Sequence, residues 1–372
     1  MPAADLIKKA EFNMQVCNAC RYCEGYCAVF PAMERRLAFP EPDLHYLANL
    51  CHNCGSCFYA CQYAPPHEFD VNLPRHLAQL RGVTYRRHAW PGFLAGLFER
   101  NGLAVSLITA AALALFMLFT FYLQGPEVLF SVWRGEGSFY KVIPHDAMIY
   151  TFGAAALYVL VALTIGFARF WREMGENLSD FARPLALGHA TWDALRLKYL
   201  DGGGEGCTYP GERPSNLRRI FHHFTFYGFM LCFAATCVAT VYHYAFGWAA
   251  PYGFASLPVL LGTAGGVGLL IGPAGLLWLK GRRDPDTAEA AQTGMDVAFL
   301  VLLLLTSFSG LALLVLRDTA AMGTLLAAHL GIVLALFLTL PYGKFVHAVY
   351  RFAALVRYAL ERARPALDVT FE

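Results

Sequence analysis

Apolar residues divide the chain into a polar N-terminal part and a long apolar part. From about residue 102 onwards, six apolar stretches are separated by polar connections. Each stretch has about the 20 residues that a helix needs to cross the hydrocarbon core of a bilayer. The pattern predicts membrane spans at 103–123, 147–168, 224–246, 257–279, 295–316 and 323–341.

The polar N-terminal part is predicted to be a separate helical domain. Asp43–Leu50 and Asn72–Arg81 look helical, with leucines at helical spacing in the second segment, and no alternating strand pattern lies between them. We therefore predict a mostly α fold with two domains. Residues 1–100 would form a soluble head, and residues 101–372 would form a six-span helical bundle with a long polar loop at 169–221.

Lysine and arginine are distributed unequally between the connections. The neck before the first span, the 169–221 loop, the 280–294 loop and the tail together contain twenty, and the connections on the other side contain three. Positively charged connections stay in the cytoplasm. The count predicts a multi-pass membrane protein with its head, its long loop and both termini on the cytoplasmic side.

Composition supports a membrane protein and argues against a nucleic-acid partner. The chain is 57% hydrophobic and 15% charged, whereas about 25% of a typical soluble protein is charged. The net charge of +2 is too small to attract a polyanion. We expect no nucleic-acid binding.

Eight of the eleven cysteines lie in two runs with the same spacing, C-x2-C-x2-C-x3-C. Three closely spaced thiolates can ligate one iron–sulfur cluster, and the fourth cysteine of such a run ligates the other cluster. The spacing predicts two [4Fe–4S] clusters with crossed ligation. The first cluster would be held by Cys17, Cys20, Cys23 and Cys61, and the second by Cys51, Cys54, Cys57 and Cys27.

Two other uses of these cysteines fit less well. Structural zinc sites take two separated C-x2-C pairs, so that the third thiol of each run has no function in them. Disulfides suit small secreted domains, and the first residues do not resemble a signal peptide. We therefore predict that the head is an α-helical dicluster ferredoxin domain.

Histidines at membrane depth are the second set of candidate ligands. An ionisable side chain inside a bilayer is costly and indicates function. Two facing imidazoles at one depth can hold a b-type haem. Antiparallel spans would place His243 level with His329 near the outer face. They would also place His222 or His223 level with His347 near the inner face.

Helical phase favours some of these histidine pairs over others. At about 100° per residue, His329 and His347 project from the same side of one continuous helix, and His222 is closer in phase to His243 than His223 is. We predict one or two b haems and a bundle of the cytochrome b type. His329 with His243 would form the outer site, with His145 in reserve, and His222 with His347 would form the inner site. Interfacial histidines without a haem are the alternative.

Three segments resemble a known family. They are Trp192–Cys207 (WDALRLKYLDGGGEGC), Pro214–Arg219 (PSNLRR) and His222–Gly228 (HHFTFYG). Together with the two cysteine runs and the six spans, they resemble the tricarballylate-utilisation protein B family, also called TcuB or CitB. The histidines of the last span also look like those of the haem-bearing γ subunit of respiratory nitrate reductases.

The resemblance implies an electron-transfer protein of the bacterial inner membrane. Its partner would be a soluble FAD-dependent dehydrogenase that oxidises tricarballylate. This chain would reoxidise the partner's FADH2 and pass the electrons through the clusters and haem to the membrane quinone pool, without binding FAD itself. The 169–221 loop and the head would form the docking surface. The alternatives are a quinol-oxidising subunit with the opposite electron flow, a membrane redox sensor or anchor, and a zinc-headed transporter.

Overall fold

The computed structural model describes residues 3–364, and these residues are almost entirely helical. The N-terminal helices are α1 (Ala3–Cys20), α2 (Val29–Met33), α3 (Glu41–Leu50), α4 (Ser56–Tyr59) and α5 (Leu73–His88). The long helices that follow are α6 (Asn101–Gln124), α9 (His145–Glu173), α12 (Leu217–Phe246), α13 (Leu257–Lys280), α14 (Thr293–Leu316) and α15 (Met322–Thr339). The predicted mostly α fold is confirmed.

Shorter elements connect and follow the long helices. The connecting helices are α7 (Glu127–Phe130), α8 (Ser138–Val142), α10 (Leu178–Phe181) and α11 (Pro184–Leu195), and α16 (Val346–Ala363) follows the last long helix. A two-residue antiparallel ladder joins β1 (Cys207–Thr208) to β2 (Pro214–Ser215). Short 3-10 helices lie at Gly92–Phe98, Lys198–Leu200, Pro285–Thr287, Ala290–Gln292 and Leu340–Tyr342.

All six predicted spans are helices long and apolar enough to cross a membrane. A helix satisfies every backbone hydrogen bond within itself, which is why a 20-residue apolar run adopts this conformation in lipid. α15 lies at the centre of the bundle, packed against α6 and α14, and α13 packs against α12 and α14. The six helices fit a multi-pass membrane protein.

The head is built around the buried faces of α1, α3 and α5. Their leucines and aromatic residues, among them Leu44, Leu47, Leu77 and Tyr85, form one apolar core. The side chain of Asn72 caps α5 by accepting a hydrogen bond from the backbone N–H of Arg75 at 3.3 Å. This core holds the loops that contain the two cysteine runs.

The segment after the last span folds back onto the head. Residues 340–342 form a 3-10 turn and Gly343 is extended, so that α15 ends before the amphipathic helix α16 begins. Arg357 pairs with Asp43 at 2.9 Å, and Glu361 accepts a hydrogen bond from the Tyr46 hydroxyl at 3.0 Å. His347 therefore lies on α16 and not on the last span. The expectation that His329 and His347 share one continuous helix is wrong, because the chain breaks at Pro341–Gly343.

Helices α12 and α13 approach each other through glycines. A Cβ atom at Gly228 would lie 2.9 Å from the carbonyl oxygen of Gly265 and 2.9 Å from the backbone nitrogen of Leu269. Small residues at such positions let two membrane helices pack backbone to backbone. Gly228 is also the one fully buried residue of α12. The rest of α12, including its histidines, is only partly covered by the other described helices.

We expect the substitution Gly228→Val to destabilise the bundle, because the valine side chain cannot fit between the two backbones. Overpacking of this kind costs about 1–3 kcal/mol. The measurement is the midpoint temperature of thermal aggregation of the full chain in detergent. Gly153→Val is the matched control, because a Cβ at Gly153 of α9 meets nothing within 4 Å. Equal midpoints for the two variants would contradict the packing argument.

Candidate functional site

The eight cysteines of the two runs gather into two groups in the head. Cys17 lies beside Cys20, Cys23 and Cys61. Negative charge on these thiols would repel the charge of a Cys17 thiolate. Cys57 lies beside Cys51, Cys54 and Cys27. Each group therefore combines three thiols from one run with the last thiol of the other. We call the groups that contain Cys17 and Cys51 the first and second thiol groups.

Ionised thiols of the first group would repel one another. Burial, followed by the charges of the neighbouring thiols, raises the pKa of both Cys17 and Cys23 to about 12. Two such thiols become thiolates together only if positive charge, such as that of metal ions, balances their own. A cavity of about 300 Å³ is lined by all four thiols of the first group and by Cys57 of the second. This space is large enough for a multi-iron cluster.

The two thiol groups differ in their access to solvent. The cavity beside the first group opens at the surface next to Tyr22, whose side chain is 71% exposed. In the second group, Cys51 and Cys54 are buried. The first group is thus the one that a soluble partner can approach.

Three arginines fix the backbone of the second cysteine run. Arg81 donates a hydrogen bond to the carbonyl oxygen of Cys51 at 2.8 Å, and Arg351 donates to the same oxygen at 2.5 Å. Arg218 donates to the carbonyl oxygens of His52 and Asn53 at 2.9 and 2.8 Å. Sequence analysis did not identify these arginines, because their partners lie far away in the chain.

The inner histidine pair is brought together by the fold. The ring centres of His222 on α12 and His347 on α16 lie 6.1 Å apart, with their planes at 75°. An iron atom between two imidazoles makes two metal–nitrogen bonds of about 2 Å. Adding the distance from each nitrogen to its ring centre gives a separation of about 6 Å between the two ring centres. The pair therefore has the spacing that an iron atom between two imidazoles requires.

His347 is also oriented and kept neutral for ligation. Its Nδ1 lies 2.6 Å from the carbonyl oxygen of Lys344, and a proton on Nδ1 leaves Nε2 free as a ligand atom. Burial and the charges of Lys344 and Arg351 hold the pKa of His347 well below its usual range. Neutral imidazole is the form that binds a metal.

His223 points away from this pair. Its ring lies 5.8 Å from that of Tyr227, on the side of α12 that faces the long loop. The sequence-based preference for His222 over His223 agrees with this arrangement.

The outer histidines are arranged differently from the expectation. The ring of His243 stacks on that of His145, the reserve candidate, with centres 3.8 Å apart and planes at 28°. Stacked rings at this distance leave no room for an iron atom between them. His329 instead lies against α14, with its Nδ1 2.9 Å from the hydroxyl of Ser309. The expected pairing of His243 with His329 is not present among residues 3–364.

Comparison with known proteins shows where the chain belongs. A family profile described as citrate utilization protein B matches residues 96–368, and one described as the Fer4-like domain of that protein matches residues 10–87. The chain is 53% identical over 357 residues to citrate utilization protein B from Escherichia coli, which covers 96% of this chain and 93% of the relative. The chain belongs to the citrate utilization protein B family. No solved structure gives a significant match.

Family membership confirms the resemblance seen in the sequence. Helices α1–α5 and their cysteine loops correspond to the Fer4-like domain of the citrate utilization protein B family. An iron–sulfur domain attached to six apolar helices is consistent with electron transfer at a membrane. The division of the chain into domains at residue 100 stays a prediction. α16 follows the six long helices in the chain, yet it packs into the core of the head.

The long loop of this family member covers the second thiol group, which the sequence did not reveal. Gly202, Gly203 and Gly206 all have positive φ angles. A Cβ at Gly203 would lie 3.1 Å from the carbonyl oxygen of Gly25, between the cysteines of the first run. The glycines let the turn lie directly on the head, so that Cys207 reaches the second thiol group. The sequence held one signal for this turn, because the turn lies in Trp192–Cys207, one of the three segments that resemble the family.

Proposed function

We propose that this chain is the membrane subunit that reoxidises a soluble FAD-dependent dehydrogenase. The dehydrogenase would be of the tricarballylate type, and the electrons would pass to the membrane quinone pool. Two [4Fe–4S] clusters and a b haem supply one-electron carriers between a two-electron flavin and a two-electron quinone. The name of the Escherichia coli relative, which refers to citrate utilisation, supports a tricarboxylic acid as the substrate of the partner.

The link between the second thiol group and the inner histidine pair is the observation on which the proposal rests. Arg218 precedes His222 by one helical turn on α12, and Arg351 follows His347 by one turn on α16. Both arginines donate to carbonyl oxygens of the 51–53 segment. Each arginine therefore clamps the second cysteine run beside one histidine of the pair. A passive anchor has no need for this arrangement.

Differences in exposure give the two thiol groups an order. The first group opens to solvent beside Tyr22, where a flavoprotein can dock. The second group is covered by the long loop and held against the membrane helices. Electrons from a soluble donor would enter at the first group and leave from the second. The contribution of the 169–221 loop to docking would then lie around its contact with Gly25 and Tyr26.

The histidine pairs differ in how well their ring spacing suits a haem. His222 and His347 have the required spacing, so we assign the b haem to the inner pair. For a second haem, His145 and His243 would have to move apart and also turn, because stacked rings do not direct their in-plane nitrogen atoms at a common iron atom. His329 is assigned no haem, because its Nδ1 faces Ser309 and no second histidine ring faces it in residues 3–364.

The excess of lysine and arginine supports an orientation with the head in the cytoplasm, as expected for a protein of the bacterial inner membrane. α16 packs on the head, so the chain leaves the described region on the side of the head at Arg364. The predicted cytoplasmic C-terminus itself falls in residues 365–372, which lie outside the described residues.

The proposal predicts that photoreduced FAD reduces a b haem in the purified full chain. Decylubiquinone should then reoxidise the haem. Both steps are followed by the visible absorbance of the haem, and iron and acid-labile sulfide are determined on the same sample. Cys17→Ser should slow haem reduction at least about tenfold, because electrons would have to bypass the first cluster. Cys237→Ser, an exposed position on α12, is the matched control.

Zinc without acid-labile sulfide would contradict the proposal. Equal rates of haem reduction in the wild type and in Cys17→Ser would also contradict the proposed route. Rapid haem reduction by decylubiquinol, together with slow haem reoxidation by decylubiquinone, would favour the quinol-oxidising alternative.

A further inference from the structure

A cavity of about 330 Å³ lies where the head meets the cytoplasmic ends of the long helices. Its walls come from α1, α5, the 3-10 helices Gly92–Phe98 and Ala290–Gln292, and the first turn of α14. α6 and α14 both begin beside it and pack closely there, since a Cβ at Gly102 would lie 3.5 Å from the carbonyl oxygen of Gly294. We call this space the neck cavity. Because two apolar spans begin at its edge, it lies at the level of the membrane surface.

The neck cavity has apolar walls and a polar end. Leu6, Phe98 and Met295 line it and are buried. Arg86 and Glu99 also line it and form an ion pair at 2.8 Å, with side chains that are 44% and 62% exposed. Sites for small molecules commonly combine apolar walls with a few polar groups and begin at about 300 Å³. The cavity therefore suits one flat ring that has polar atoms on its edge.

One polar atom at this cavity lacks a partner. Gln79 lines the cavity, and its Oε1 is buried without a hydrogen bond to any described residue. A buried acceptor that stays unsatisfied lowers stability, so that such an atom calls for an explanation. A glutamine amide can donate to a carbonyl oxygen and can also accept from a hydroxyl group. Gln79 could therefore bind a quinone and the quinol that is formed from it.

A short chain of contacts joins the neck cavity to the inner histidine pair. Met295, on the cavity wall, directly precedes Asp296. Asp296 pairs with the Nζ of Lys344 at 2.7 Å. The carbonyl oxygen of Lys344 lies 2.6 Å from the Nδ1 of His347. One side of the cavity is therefore built on the residues that position a proposed haem ligand.

An aromatic contact provides a second connection. Tyr85 lines the cavity, and its ring stacks on that of Tyr350, with centres 5.7 Å apart and planes at 19°. Tyr350 follows His347 by about one turn of α16. Both connections end at the same histidine, so a molecule in the neck cavity lies beside the inner pair and not beside the first thiol group.

We propose that the neck cavity binds the head group of a membrane quinone and is the place where the quinone is reduced. This inference rests on the proposed function, which names the quinone pool as the acceptor. The quinone takes up two electrons, one at a time, from the redox centres of this chain. It also takes up two protons from cytoplasmic water at the Arg86–Glu99 end, so that its two carbonyl oxygens become the hydroxyls of the quinol. Gln79 hydrogen-bonds the ring in both states.

The first test is photolabelling of the purified full chain with an azido-substituted ubiquinone, followed by mass spectrometry of its peptides. We expect the label on peptides that contain residues 79–86, Phe98 or Met295, and we expect excess decylubiquinone to prevent the labelling.

Gly82→Leu should reduce the labelling about tenfold or more, because the leucine side chain enters the cavity from α5. A Cβ at Gly82 meets the flexible end of Gln292 at 3.2 Å, and leucine is a better helix former than glycine, so α5 should persist. Gln124→Leu, at the opposite end of α6, is the control and should label like the wild type.

The second test measures the reoxidation of the haem by decylubiquinone. Gln79→Leu removes the amide at nearly constant size, and we expect the KM for decylubiquinone to rise about fivefold. Haem reduction by photoreduced FAD and the contents of haem, iron and sulfide should equal those of the wild type. A purely structural role of Gln79 would not change the KM. Gln124→Leu should retain the wild-type KM.

Three results would overturn the proposal. They are labelling of other peptides, labelling that phosphatidylglycerol vesicles prevent and decylubiquinone does not, and wild-type labelling in Gly82→Leu together with a wild-type KM in Gln79→Leu. The second result would identify the occupant as a lipid head group. A wild-type haem that decylubiquinone does not reoxidise would refute the proposed function instead, and photolabelling would still decide whether the neck cavity binds a quinone.

Discussion

Replacing His347 by alanine should remove the b-haem absorbance assigned to the inner site and leave both iron–sulfur clusters in place. His347 faces His222 with 6.1 Å between ring centres, and its Nδ1 is held by the Lys344 carbonyl oxygen. A b haem has no covalent attachment, so loss of an axial ligand removes most of its binding. The clusters should persist because their thiols come from the head. We expect more than about 90% loss of the haem from this site.

The measurement combines the pyridine haemochrome spectrum with iron and sulfide analysis of purified protein. His222→Ala should give the same result as His347→Ala, since both imidazoles are required. His223→Ala is a matched control on the adjacent position of α12, where the ring contacts Tyr227. Retention of the full haem content in both His222→Ala and His347→Ala would show that the inner pair does not hold the haem.

The number of haems decides the status of the outer histidines. One haem per chain, lost in His347→Ala, fits the stacked arrangement of His145 and His243. If two haems per chain are found, the second should disappear in His145→Ala or His243→Ala, and not in His329→Ala. Loss of a haem in His329→Ala would instead restore the pairing that the sequence suggested.

Replacing Cys61 by serine should remove the first cluster, although Cys61 belongs to the second run. The structure places Cys61 beside Cys17 and Cys23. Serine is a poor ligand for iron in such a cluster, so that the cluster with three remaining thiolates becomes labile. We expect the loss of about half of the iron and sulfide, with the electron paramagnetic resonance signal of the second cluster retained.

Cys27→Ser is the reciprocal experiment. Cys27 lies beside Cys51 and Cys54, so this variant should lose the second cluster and retain the first. Cys232→Ser provides the control, because Cys232 lies on α12 against Gly265. If each variant loses the cluster of its own run instead, the ligation is not crossed and the observed grouping of thiols does not reflect the loaded protein.

The sequence alone was sufficient for the features that depend on local chemistry. A run of about 20 apolar residues has to be a helix in lipid, because only a helix satisfies its own backbone polar groups. All six spans were therefore predicted correctly. The C-x2-C-x2-C-x3-C spacing predicts crossed ligation of two clusters, because the ligand spacing follows from the size of the cluster, and Cys61→Ser and Cys27→Ser test that prediction.

Tertiary structure decided which distant side chains meet. The pairing of His329 with His243 was inferred from equal depth, whereas His243 stacks on His145 and His329 faces Ser309. The common phase of His329 and His347 assumed one continuous last helix, whereas the chain breaks at Gly343 and places His347 on α16. The proximity of Cys207 to Cys54 and the contacts of Arg218 and Arg351 with the second cysteine run join segments more than 150 residues apart. Hydropathy and helical phase describe one segment at a time. They hold no information on how two segments pack against each other, and that packing determines the surroundings of the second cluster and of the inner histidine pair.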